Sequence, residues 1–422
     1  MVKFLYRLMV EIFYIPFVVL IILRIFFDKE DKSKFKEKIL PNKIRRPDGF
    51  LFWFHAASIG ELNSILPIIN FFLKEEKNCN FLITTTTLSS YRQLKKKFKE
   101  NKKIFHQFLP YDSIFLTQSF LNNWKPNIAS FVDSEIWPNF IFKIKKNGIP
   151  FILLNARITE KSFKRWKILN NFAKQLFETF SICFSSSNET SRYLEDLGAK
   201  NIKYFGNIKF CSSINNSNEF ASEKFNFFDN KEIWCALSTH HNEEIFCADV
   251  HKILKKNNKN TITIILPRHI HRINKIYRNL KKMGLQVQIK NERDSIDKSA
   301  EVILVNYYGS VSKYLAKIKH IFIGKSLIEK LKKVGGQNPI EAAKMGCFIY
   351  HGPYVYNFKD IYDYLNKKKF SEMVNSPEIL AEKLEKNFNS NYKKDPESIN
   401  DLNNYGMKIF NQVIQEYNKF IK

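Results

Sequence analysis

Apolar residues in this chain gather in short runs separated by stretches of helical period. The runs at 50–54, 80–84, 128–132, 150–154 and 181–184 have strand length and little polar interruption. Strands buried on both faces of a parallel sheet carry that pattern. Between them, 61–74, 89–99, 113–123 and 137–147 place apolar residues three and four apart, which predicts helices. Around 202–232 the alternation stops. A last short strand ending in GNIKF gives way to the polar stretch SSINNSNEFASEKFNFFDN, and strands resume at 232–237, 261–266, 301–305, 320–323 and 347–350. The pattern predicts an α/β protein of two doubly wound halves joined by a linker near 211–229. Ligands of open α/β sheets bind beyond the carboxyl ends of the strands, so a cleft between facing halves is the expected site.

The first apolar run is of another kind. Residues 12–23, IFYIPFVVLIIL, are continuously apolar between Arg7 and Glu11 on one side and Arg24 on the other. A bilayer span needs about 20 residues, a length that Phe4 to Phe27 reaches if the charged flanks snorkel. No small-residue cleavage site follows, and the chain continues as DKEDKSKFKEK. The segment is expected to be a membrane anchor, ahead of an interfacial helix or a buried one. It ends well before the first strand and should add little to either core. Basic residues from Lys29 to Arg46 suit an anionic cytoplasmic lipid face.

Composition narrows the field further. A chain of 422 residues is long for one core, and 44% hydrophobic with 26% charged residues is ordinary for a folded protein. The formal charge of +27 calls for a negative partner. No zinc finger, recognition helix or aromatic ribonucleoprotein box points to nucleic acid. The six Cys have no CxxC spacing and read as reduced residues, not as a disulfide framework or metal site.

Candidate chemistry lies at the strand ends. His55 to Ile69, HAASIGELNSILPII, joins a buried strand to a helix through a loop of small residues, with Glu61 at the helix opening. A carboxylate there either complements the helix dipole or serves as a general base at the mouth of a site. Polar clusters recur at TTTT (84–87), SEIWPN (134–139), NARITEKS (155–162), STHHNEE (238–244), LPRH (266–269) and GGQNPIEAA (335–343). Any one of them reads as helix capping; together, at corresponding edges of two sheets, they exceed what capping needs. In GGQNPIEAA two glycines permit close backbone approach and Glu341 can accept from ribose hydroxyls. Arg268 sets a cation after a strand, where a phosphate would be held bidentately.

Over almost its whole length the chain resembles the 3-deoxy-manno-octulosonic acid (Kdo) transferases of lipopolysaccharide synthesis. The resemblance rests on HAASIGE (55–61), LPYD (109–112), SEIWPN, NARITEKS, GNIKF (206–210), STHHNEE, LPRH, GGQNPIEAA and GPYVYNF (352–358), in that order. It implies two Rossmann-like domains of the B-type glycosyltransferase fold with an N-terminal membrane-anchor helix. The expected division is an anchor and start of the basic linker at 1–30, an acceptor-binding domain at 31–215 and a nucleotide-sugar-binding domain at 216–422. It further implies inverting transfer of Kdo from CMP-Kdo to a lipid A precursor (lipid IVA), with no cofactor and no metal, at the cytoplasmic face of the inner membrane of a Gram-negative bacterium. Glu61 matches the family's base. Pro267 and Arg268, with Asn338, Pro339, Ile340 and Glu341, match its nucleotide contacts, and Gly309, Ser310 and Val311 align with a third. Glu135, Arg157 and Lys209 stand in family motifs as acceptor-side residues, or equally as salt-bridge partners.

Two departures stand out. The acidic residue of the family's Gly-Glu-Leu turn is missing at 309–311, and the loop GKSLIEKLKKVG (324–335) is longer and more basic than usual. The expected partners are CMP-Kdo, a lipid A precursor and an anionic membrane surface, without nucleic acid. The rival readings are another nucleotide-sugar glycosyltransferase or a sugar epimerase of the same fold, and a membrane-associated binding protein with a dead site.

Overall fold

The computed structural model describes residues 1–41, 44–75, 78–212, 231–258, 260–307, 309, 311–390 and 394–421. The chain forms two units, Met1–Ser213 with Tyr405–Lys422, and Ile214–Asn404. The first begins with two helices, α1 (Val2–Ile12) and α2 (Tyr14–Phe26), bent by 43°. Pro16 has no N–H to offer the Ile12 carbonyl, which breaks what the apolar run alone would make one helix. No single helix among the described residues is long and apolar enough to cross a membrane; only this bent pair passes by length and composition. Of the pair, only Ile21 is buried. Hydrogen bonds nevertheless tie it to the unit: Tyr6 Oη donates to Asp112 and Tyr111 Oη to the Val10 carbonyl, while Glu11 accepts from Ile114 N–H.

The first sheet consists of β1 (Phe50–His55), β2 (Cys79–Thr85), β3 (Ile104–Phe108), β4 (Ile128–Val132), β5 (Phe151–Ala156), β6 (Ile182–Ser185) and β7 (Ile202–Lys203). All pairs are parallel, in the order β3-β2-β1-β4-β5-β6-β7. The order runs outward from β1 on one side and β4 on the other, so the loops after these two strands part at a switch point. Leu51, Phe52, Trp53 and Phe54 of β1 are fully buried, each large side chain stabilising by roughly 1.5–3 kcal/mol. The helices after the strands are α3 (Ile59–Glu75), α4 (Leu88–Lys97), α5 (Ile114–Trp124), α6 (Pro138–Lys146), α7 (Glu160–Ile168), α8 (Asn170–Phe177) and α9 (Asn188–Asp196). Thr87, Ser113, Thr159 and Ser187 cap α4, α5, α7 and α9 with their hydroxyls.

The second sheet repeats the design with β8 (Glu232–Thr239), β9 (Thr261–Pro267), β10 (Val287–Lys290), β11 (Val302–Val305), β12 (His320–Ile323), β13 (Phe348–His351) and β14 (Ser371–Met373). Its order is β10-β11-β9-β8-β12-β13-β14, again all parallel, with the switch point between β8 and β12. The intervening helices are α10 (Glu243–Asn257), α11 (Ile273–Lys282), α12 (Val311–Lys317), α13 (Ile340–Lys344), α14 (Lys359–Lys367) and α15 (Pro377–Asn389). A last helix, α16 (Pro396–Asn418), ends in the first unit. There its Tyr417 is buried, packs at a tilt against Phe54 and Phe72, and shares a 2.8 Å hydrogen bond with Ser130.

Candidate active site

Three carboxylates meet at the switch point of the first sheet. Glu61, in the first turn of α3, accepts a 2.7 Å bond from Ala57 N–H and a 2.8 Å bond from Ser58 Oγ–H. Burial raises its pKa, and the negative charges of Asp133 and Glu135 raise it further against those two hydrogen bonds. Among the described residues no cation pairs with it. Gly60 beside it is exposed, and a Cβ built there would meet only Ser58 Oγ, at 4.0 Å.

Its neighbours are compensated. Glu135, in the turn after β4, lies 3.1 Å from His55 Nε2 and accepts a 2.8 Å bond from the Trp137 indole. Burial opposes its charge, but His55 and Trp137 hold its pKa below the usual carboxylate value. Asp133 accepts 2.9 Å from Lys209 Nζ and 2.5 Å from Asn155 Nδ2, and Asn155 Oδ1 accepts from Ile208 N–H. Asp133 and Asn155 both have left-handed backbone, φ 56° and 54°. Such strain at a non-glycine costs on the order of 1–3 kcal/mol and gathers where geometry is over-determined. Two adjacent carboxylates whose environments push their pKa values apart are the mark of a site with assigned proton roles: Glu61 is the one suited to take a proton, Glu135 the one kept ionised.

Of the acceptor-side residues expected from sequence, Glu135 and Lys209 are therefore in this cluster. Arg157 joins through its backbone, its N–H donating to the Asp133 carbonyl and its carbonyl accepting from Ser134 Oγ. Asp133 and His55 were not singled out from the sequence, although both are polar residues ending or following a buried strand. That position was the available signal.

The second unit offers cations in place of a base. Arg268 follows Pro267 at the end of β9, is exposed, and has no side-chain partner among the described residues; its N–H donates to the Thr239 carbonyl. Arg272, one helical turn on, is committed instead, bidentate on Glu244 at 3.0–3.1 Å. The rings of His240 and His269 lie 5.4 Å apart, and those of His269 and His271 5.6 Å. Burial lowers the pKa of His240 and His269, and neighbouring positive charge, Arg268 included, lowers both further. The carboxyl ends of β8 and β9 thus carry a positive potential suited to a phosphate. Among the described residues, no group of three His, Cys, Asp or Glu could hold a metal ion.

Asn338 Oδ1 turns back to accept from Ile340 N–H, and Glu341 accepts a 2.7 Å bond from Ser312 Oγ–H. Ser312 belongs to α12, which starts at Val311, so the start of α12 and the Asn338–Glu341 segment stand together. Gly309 is left-handed at φ +85° with nothing within 4 Å of a Cβ placed there; Ser310 lies outside the described residues.

A sequence profile of the family described as 3-deoxy-D-manno-octulosonic-acid transferase (kdotransferase) matches residues 31–212. A 3-deoxy-D-manno-octulosonic acid transferase of Rickettsia bellii is 32% identical over 413 residues, 95% of this chain and 96% of its own. One from Haemophilus influenzae is 26% identical over 84% of this chain and 82% of its own. Among solved structures, a UDP-GlcNAc 2-epimerase from Neisseria meningitidis aligns with TM-score 0.58 at 13% identity, over 87% of this chain and 99% of its own. That last likeness is one of fold alone.

Proposed function

The chain belongs to the Kdo transferase family, and on that premise we propose that it moves Kdo from CMP-Kdo to lipid IVA, the lipid A precursor, with inversion. The observation that carries this reading is Glu61, a carboxylate with raised pKa and, among the described residues, no cationic partner. In the proposed reaction the acceptor hydroxyl gives its proton to Glu61 as its oxygen bonds to the anomeric carbon of Kdo. The bond from that carbon to the CMP phosphate breaks, and CMP leaves as an anion. Arg268 and the histidines around it stabilise the departing phosphate, so the proposal assigns no metal. Pro267, Asn338 to Glu341 and the 309–311 turn complete the nucleotide contacts, with Glu341 turned to ribose hydroxyls. Asp133, Glu135, Lys209 and Arg157 shape the acceptor side.

The test is purified full-length protein incubated with CMP-Kdo and lipid IVA in the presence of EDTA, with products followed by mass spectrometry. The reading expects lipid IVA to gain the mass of Kdo. No gain, or transfer from a UDP-sugar instead, would overturn it.

The proposed acceptor is a membrane glycolipid, and the N-terminal pair fits that setting. Phe4, Met9, Ile12, Ile15, Phe26 and Phe27 are more than half exposed, while hydrogen bonds from both helices hold the pair against the first unit. A pair held along its length lies in the interface of one leaflet. Full-length protein should float with vesicles of anionic lipid, and a Phe26→Ser/Phe27→Ser variant should float several-fold less; equal flotation would remove the pair from the membrane contact.

A further inference from the structure

The LPYD motif, Leu109 to Asp112, takes no part in the chemistry above, yet its aspartate is almost wholly buried at 2% exposure. Asp112 Oδ2 accepts from Asn139 N–H at 3.0 Å and Oδ1 from Phe140 N–H at 2.9 Å, while the Asp112 carbonyl accepts from Asn139 Nδ2 at 2.6 Å. The first residue of α6 is Pro138, which has no N–H. Asp112 therefore takes the next two free amides of that helix, although it comes from another loop. Its remaining partner is Tyr6 of α1, whose hydroxyl donates to Oδ2 at 2.7 Å. Residues on either side reinforce the link. Tyr111 packs against Phe17 with ring centroids 4.5 Å apart and bonds the Val10 carbonyl, and Glu11 accepts the first N–H of α5.

The turn that enters α6 is Ser134 to Trp137, and its Trp137 indole holds Glu135. We infer that Asp112 is a positioning residue that couples the seating of the N-terminal helix pair to the turn carrying Glu135. The pair is then part of the transfer apparatus as well as a membrane contact: with α1 unseated, the first turn of α6 loses one point of its support. The inference rests on the reading of this cluster as the transfer site. Small displacements there are costly, because a misplacement of about 1 Å costs on the order of a hundredfold in rate.

The test uses full-length Tyr6→Phe, Asp112→Asn and the double variant. Tyr6→Phe removes one hydroxyl from a mostly buried ring and keeps its packing against Phe172. It should lower kcat on the order of tenfold, with donor KM within about twofold of wild type. The double variant should be no slower than Asp112→Asn alone, because both changes break the same link. If Asp112→Asn does not fold, Tyr6→Phe alone decides. Amide hydrogen exchange supplies a readout independent of substrate: residues 134–141 should exchange faster in Tyr6→Phe, with the β1 and β5 amides unchanged. Unaltered kcat and exchange in Tyr6→Phe, or multiplicative effects in the double variant, would overturn the coupling. A wild-type chain that transfers no Kdo would sink the functional reading instead, and the exchange experiment would still decide whether the link exists.

Discussion

Two glutamates open the helix that follows the first strand of each sheet, Glu61 after β1 and Glu243 after β8, and they have opposite surroundings. Glu243 is 2% exposed and accepts from four backbone N–H groups: His240 and Lys325 at 2.8 and 2.7 Å, Ser326 and Leu327 at 2.9 and 3.1 Å. Gly324 is forced by the same contact, since a Cβ there would stand 2.7 Å from the carboxylate. Glu61 accepts from one backbone N–H and one hydroxyl, faces two other carboxylates, and has open space at Gly60. The same residue type at the same topological position is saturated by backbone donors in one unit and is the proposed base in the other. The difference is donor count: four fixed backbone donors saturate Glu243, whereas Glu61 has two donors amid negative charge that raises its pKa.

The comparison can be broken from either side. Glu243→Gln turns an NH2 group toward two of the four amides, which lose their acceptor at about 1–3 kcal/mol each. Thermal unfolding should show the chain several degrees less stable, most of it from release of the 324–327 loop. An unchanged midpoint would make Glu243 as dispensable structurally as any surface acid.

Arg268→Ala comes next in size. The uncommitted guanidinium makes a charge-assisted contact to phosphate worth roughly 1.5–3 kcal/mol. Donor KM should rise by about one to two orders of magnitude, with acceptor KM little changed. A change confined to acceptor kinetics would place Arg268 elsewhere in the reaction.

A smaller effect lies in the pH profile. A base works only when ionised, and the pKa of Glu61 is raised by burial and by Asp133 and Glu135. Activity should therefore fall as pH drops, through a midpoint above the ordinary glutamate value of 4.5. Asp133→Asn removes one negative neighbour and should move that midpoint down, which steady-state rates across pH would show; a midpoint that moved up would reverse the electrostatic argument.

Most of the architecture was legible because the central strands of both sheets are buried on both faces and so appear as apolar runs. The strands the pattern missed, β3, β10 and β14, are all at sheet edges. There IFHQF, VQIK and SEM mix polar residues into a half-covered surface, and the run disappears. The N-terminal segment was legible as apolar but not as two helices, because the break comes from a backbone donor that Pro16 lacks. Glu61 and Arg268, the proposed base and phosphate contact, stand out by strand-end position and motif. The setting of Asp133 does not, since it depends on Lys209 and Asn155, 76 and 22 residues away. Nothing local separates Glu61 from Glu243 either; the amides that saturate the latter come mainly from a loop more than 80 residues further on.

The most direct measurement is the rate of Kdo transfer to lipid IVA by Glu61→Gln, with CMP binding determined on the same preparation. The substitution keeps the shape and one acceptor oxygen but removes the base. The account predicts a rate lower by about 10²–10⁴ with CMP affinity unchanged. A variant that keeps more than half of wild-type turnover would contradict it.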